Sequence, residues 1–171
     1  MSGHLLTRRR LLLATPALAF AATAKAAPPT PTGPVILTVS GQIGITNSPQ
    51  GFEFDMAMLA ALPQHEFRTR TPWHTGTPQF TGPLLRTVLD TVQAKGHTVR
   101  AVALNDYKVD IPASDAKDWD VIVARLVDGQ PMRVRDRGPL FIIYPFDSKA
   151  ELRDPRYTNR SAWQLRRIEV V

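Results

Sequence analysis

Thr98-Val99-Arg100-Ala101-Val102-Ala103-Leu104, Lys108-Val109-Asp110-Ile111-Pro112 and Asp120-Val121-Ile122-Val123-Ala124-Arg125-Leu126 follow one another with little chain between them. The first alternates apolar and polar residues, as a half-buried strand does, and the third is a β-branched apolar run of the kind that is buried on both faces. Parallel neighbours in a doubly wound sheet need crossovers of about a dozen residues or more, most often helices. Residues 105–107 and 113–119 are too short for that, and Ser114 to Trp119 reads as one helical turn with Ser114 as its cap. Strands that do not alternate regularly with helices predict a single α+β domain with a mixed sheet.

Outward from this stretch the pattern continues. Leu140-Phe141-Ile142-Ile143-Tyr144, held between Gly138-Pro139 and Pro145, reads as another apolar strand, and Ile168-Glu169-Val170-Val171 as a terminal one. Toward the N-terminus, Val35 to Gly41 predicts a strand and turn, and Phe52 to Leu62 holds a short helix capped by Asp55 and stopped by Pro63. His65 to Thr71 alternates as a strand that leads to Pro72-Trp73, and Gly76 to Gly82 reads as loop. Pro83 then opens a helix whose apolar face is Leu84, Leu85, Val88, Leu89 and Val92, with Lys95-Gly96 as its C-cap. Trp119 and Trp163 are expected in the core.

Residues 1–26 read as a tripartite signal peptide. Arg8, Arg9 and Arg10 precede an apolar stretch from Leu11 to Ala22, and Ala24-Lys25-Ala26 supplies the small residues of a cleavage site. The stretch is interrupted by Thr15 and Pro16 and falls short of the roughly 20 apolar residues of a spanning helix, so stable membrane insertion after cleavage is not expected. A Sec route and a twin-arginine route both fit, and the expected location is periplasmic or secreted. Residues 27–34, rich in Pro and Thr, read as a tether, and residues 35–171 as the domain.

Removing residues 1–26 lowers Lys+Arg from 21 to 17 against 15 Asp+Glu, so the headline charge of +6 shrinks to about +2. Among the arginines that remain, only Arg125 to Arg137 and Arg153 to Arg167 come close to a clustered basic face; both are read as solvated faces, and no nucleic-acid partner is expected.

The chain has no cysteine. That excludes a disulfide framework, a CxxC redox pair, a thiolate nucleophile and every cysteine-ligated metal centre. His65, His74 and His97 lack HxxxH or HxH spacing, no serine sits in a Gly-x-Ser-x-Gly elbow, and Gly41-Gln42-Ile43-Gly44 lacks the third glycine of a dinucleotide fingerprint.

The order of several short pieces resembles the oxidoreductase molybdopterin-binding domain of the sulfite oxidase family, in a small stand-alone exported form. Those pieces are Leu37 to Gly41, Phe80-Thr81-Gly82-Pro83-Leu84-Leu85, Asn105-Asp106-Tyr107, Val121 to Ala124 with Asp128-Gly129-Gln130-Pro131, Gly138 to Pro145, and Trp163. The resemblance implies a sulfite-oxidase-like α+β fold and a molybdenum centre bound by a pterin dithiolene and one protein cysteine. A soft thiolate suits a metal already bound by sulfur. The place where the resemblance puts that cysteine reads Phe67-Arg68-Thr69-Arg70-Thr71-Pro72-Trp73, so Thr69 or a neighbour stands in its position. Gly138-Pro139 is contracted and runs on to Leu140 instead of a basic residue, and Ala162 stands beside Trp163 where a basic residue is usual.

The resemblance makes Thr69, Trp73, His74, Asp106, Tyr107 and Gly138 the candidate residues of the cofactor cleft. Two readings stay open. One is a domain that binds no cofactor and takes a small ligand, or a membrane signalling or redox partner, through that cleft. The other is a periplasmic molybdopterin-dependent oxidoreductase. Residue chemistry favours the first, because the one side chain expected to bind molybdenum is missing.

Overall fold

A computed structural model describes residues 27–171; the export segment read at residues 1–26 lies outside the described residues. Eleven strands and four short α-helices occur among the described residues, in chain order β1 (Leu37–Gly41), β2 (Phe52–Phe54), α1 (Met56–Ala61), β3 (Gln64–Arg68), β4 (Gln79–Pro83), α2 (Leu85–Thr91), β5 (Thr98–Ala103), β6 (Lys108–Pro112), α3 (Asp115–Asp118), β7 (Ile122–Ala124), β8 (Leu126–Val127), β9 (Gln130–Pro131), β10 (Phe141–Ile143), α4 (Pro155–Arg160) and β11 (Leu165–Val170). The predicted α+β domain with a mixed sheet is what forms.

One sheet has the order β2-β1-β11-β5-β6. The β1–β11 pair is parallel and every other pair is antiparallel, with Val39 opposite Ile168 and Ile168 opposite Ala101. A second has the order β3-β4-β8-β9. Alongside β4, residues 121–125 bond to residues 81–85, with Leu85 N–H donating to Val121 O at 2.8 Å and Arg125 N–H to Thr81 O at 2.9 Å. Strand β7 also pairs with β10, so the apolar runs 121–124 and 140–143 lie in the middle of the protein and are wholly buried. Leu37, Phe52 and Ile168 from the first sheet join Phe80 from the second and Val123 and Phe141 from the β7–β10 pair in one apolar cluster, each such side chain contributing roughly 1.5–3 kcal/mol on burial.

Several predicted boundaries are corrected. Gln79–Pro83, expected as loop, is strand β4: Gly82 is accommodated because the Val123 carbonyl crosses where a Cβ would sit. Pro83 therefore ends a strand, where its missing donor is harmless, and α2 starts after it. That helix stops at Thr91, not at Lys95-Gly96, with Val92 as cap and a positive φ of 52° at Gln93. Asp55 does cap α1, its carboxylate accepting from Met58 N–H at 2.8 Å, but Phe52–Phe54 ahead of it is strand because Phe52 and Phe54 pair across to Val39 and Leu37. Strand β3 ends at Arg68, so Thr69 to Thr71 is loop. Ser114 precedes α3 with no side-chain capping bond. The terminal strand begins three residues earlier than expected, at Leu165.

Residues 27–34 are pinned, not free. The second oxygen of Asp55 accepts from Thr32 N–H and Gly33 N–H, both at 2.8 Å, and Asn47 donates to Pro29 O at 2.7 Å. These amides, with that of Met58, hold the Asp55 carboxyl below the usual carboxylate range. Among the described residues no helix is long and apolar enough to cross a membrane.

Candidate functional site

The loop between β3 and β4, residues 69–78, is held at its start by Asp147 and in its middle by its own side chains. Thr71 Oγ1 lies 2.8 Å from His74 Nδ1 and accepts from Trp73 N–H at 3.2 Å, closing a tight turn. At the loop's start, Asp147 accepts from Arg70 N–H at 2.7 Å and from the Arg70 guanidinium at 2.8 Å, while its own N–H donates to Thr69 Oγ1 at 3.0 Å. The arginine's side-chain bond, then its backbone amide, hold the Asp147 carboxyl down to about 2.

Beneath the loop is an aromatic stack. Trp73 meets Phe141 edge-on at 5.3 Å between centroids, His74 meets Phe80 edge-on at 5.3 Å, and Phe80 meets Phe141 at 6.3 Å. Aromatic pairs prefer this arrangement because the positive edge of one ring faces the negative face of the next. Trp73 is thereby fixed at the edge of a cleft of about 290 Å³. Asn105 and Tyr107, from the β5–β6 turn, and Asn159 and Trp163, from the end of α4 and the segment after it, complete the cleft.

A buried charge network supports α4. Arg160 donates to Asp115 Oδ2 at 2.8 Å, and the Tyr144 hydroxyl donates to the same oxygen at 2.7 Å. The Tyr157 ring packs on Tyr144 at 5.3 Å, with the guanidinium of Arg160 over it at 5.5 Å. Burial first, then the bond to the Asp115 carboxylate, push the Tyr144 phenol well above its ordinary range, so it stays a donor. Arg153, Arg156, Arg166 and Arg167 are exposed, as a solvated face predicts; Arg160 alone departs, only 25% exposed and reaching inward to Asp115. A carboxylate accepting two bonds and a cation donating into it satisfy each other away from water.

The six candidate residues separate. Trp73 and Tyr107 share the cleft. His74 faces a neighbouring cavity with Gln130 and Arg133; burial, then Arg137, lower its pKa, against an opposing pull from Asp128. Thr69 is fully buried beneath the loop. Asp106 takes the turn's positive φ of 64° and pairs with Arg166 on β11. Gly138 is packed against Met132 O, where a Cβ would collide. Sequence reasoning missed Asp115, Tyr144 and Arg160, which lie far apart in the chain. Trp163, expected in the core, is half-buried and lines the cleft. A tryptophan carries a polar end that suits a pocket edge, and that was the signal available.

A family model described as the oxidoreductase molybdopterin-binding domain matches residues 37–150. The chain belongs to that family. No curated protein sequence matches it. Strand β11 and Trp163 lie beyond the matched segment, yet β11 sits between β1 and β5 in the sheet, so the folded unit runs on to Val170.

The family binds molybdopterin, whose molybdenum is met by a thiolate and whose phosphate calls for cations. There is no thiolate in the chain. Thr69 offers a buried neutral hydroxyl already bonded to Asp147 N–H, and Ala162 is buried with its carbonyl accepting from Ile142 N–H at 2.9 Å. The cleft of Trp73 has no cationic lining residue to meet a phosphate, although the cavity at the loop's start is lined by Arg70 and Arg153. This donor set does not fit a thiolate-bound molybdenum dithiolene. Among the described residues there is also no group of three His, Asp or Glu side chains placed to hold a metal.

Proposed function

We propose that the protein is an exported binding domain of the molybdopterin-binding fold that works without molybdenum, and that it takes a small uncharged organic ligand in the cleft of Trp73, Tyr107 and Trp163. The observation that carries this reading is the engagement of Thr69: the side chain at the thiolate's place is buried and tied to the backbone of Asp147. The export part rests on the arginine-led apolar segment at residues 8–26.

The choice of ligand follows from the lining. Three aromatic rings offer apolar faces with polar tips, and Asn105 and Asn159 add neutral donors and acceptors. A charged ligand entering this cleft would lose hydration with no lining ion to replace it.

The test is elemental analysis of the mature protein purified from cells that make molybdopterin, with pterin fluorescence read after denaturation. Protein free of molybdenum and pterin is expected. Stoichiometric molybdenum with pterin would establish the oxidoreductase reading instead. Thr69→Cys sharpens the result: because the position is buried against Asp147, the variant is expected to stay free of molybdenum, and loading would overturn the assignment of this site as closed.

A further inference from the structure

The largest cavity among those described is elsewhere, about 640 Å³ between α2, α3 and the end of the large sheet. That is within the roughly 300–1,000 Å³ of small-molecule sites, and it shares no residue with the cleft of Trp73. We propose that this cavity is a second binding site, for a small organic anion with an aliphatic body, such as a medium-chain carboxylate.

The floor supplies the apolar part. Leu89, Val99, Ala116 and Val170 are all buried residues that contribute to the cavity wall. The rim supplies the charge. Lys95 and Lys117 both line the cavity, and neither has an ion-pair partner among the described residues. Arg86, on the α2 wall, is already engaged with Asp120 at 2.7 Å. Asp90, also on α2, is the one acidic residue of the lining and directs an anion away from that wall. The opposite end is where Ala113 N–H donates to His97 O at 2.9 Å, bringing His97 beside Ser114, whose hydroxyl caps no helix.

Two features that look like helix signals in the sequence therefore belong to this site. Ser114 precedes α3 without capping it, which leaves its hydroxyl for a ligand. Gly96 ends no helix; a Cβ there would meet Val171 O, and only its absence lets residues 95–97 close onto the sheet and form the cavity's end. An aliphatic anion satisfies both halves: its chain covers the floor, and its carboxylate meets two otherwise unpaired ammonium groups.

The experiment is isothermal titration of the mature protein with octanoate and with octanol, which have chains of equal length and differ in the charged end. Saturable 1:1 binding of octanoate is expected, at least tenfold tighter than octanol. Lys95→Ala with Lys117→Ala changes two exposed residues, so the fold survives, and is expected to reduce octanoate to the octanol level. Ala113→Trp, which fills the cavity from a half-exposed position, is expected to abolish both. Equal binding of the two probes, an undiminished double lysine variant, or no saturable binding by the parent protein would overturn the proposal.

Discussion

The network beneath α4 and the rim of the Trp73 cleft are built from opposite kinds of residue. In the network, Tyr144 and Arg160 both donate to the buried Asp115 carboxylate, Tyr144 from a fully buried position and Arg160 from a largely buried one. On the rim, Trp73, Tyr107 and Asn159 are neutral and half-exposed or exposed, and Tyr107 keeps 51% of its surface in water. The contrast teaches that stability and recognition reside in different side chains here. Charge holds α3, α4 and β10 in place, and the surface offered to a ligand is left without ions.

If that separation holds, the network should carry the largest stability effects. Asp115→Ala leaves a mostly buried guanidinium and a buried phenol without their acceptor, and losing one member of a buried ion pair costs about 3–5 kcal/mol. Urea denaturation should show a loss of about that size; a loss below about 1 kcal/mol would mean that the network is not what holds α4. Tyr144→Phe removes one donor and leaves the Arg160–Asp115 pair intact, so about 1–2 kcal/mol is expected in the same measurement.

Asp147, which holds the start of the Trp73 loop, gives the separation a pH signature. Asp147→Ala frees the amide of Arg70 and costs about 1 kcal/mol near neutrality, because the exposed guanidinium contributes little by itself. The folded carboxyl is depressed to about 2 from an ordinary value of 3.8. Its stabilisation is therefore complete above about pH 4 and lost as pH falls toward 2. Parent protein and variant should differ in urea midpoint at pH 7 and converge at pH 2. A constant difference across that range would show that the charge of Asp147 is not what anchors the loop.

The frame was legible in the sequence where apolar runs end at Gly or Pro, as at Leu37–Gly41 and at Phe141–Ile143 before Pro145. It was not legible at β4, since Gly82 and Pro83 carry loop chemistry and become strand only because residues 121–125 run beside them. Helix α4 was hidden for a different reason. Pro155 to Arg160 buries only Tyr157, so it has no apolar period, and its start depends on Asp154 capping Arg156 N–H. Without α4, Arg160 reads as one more surface arginine and Asp115 as one more turn residue. The cleft was half legible: Trp73 and Tyr107 follow from the family's order of pieces, while Asn159 needed α4 to be placed beside them.

The smallest expected effect is also the sharpest check on the comparison. Tyr107→Ala removes a ring whose hydroxyl supports no buried partner and half of whose surface faces water, so its unfolding free energy in urea should fall by no more than about 0.5 kcal/mol. Binding should respond differently, because the ring is one of three that line the cleft. A screen of neutral fragments, read from the indole N–H signals of Trp73 and Trp163, should find ligands that the variant holds several-fold more weakly. If Tyr107→Ala instead destabilises as much as Tyr144→Phe, the rim is part of the frame, and the division between a charged foundation and a neutral binding surface fails.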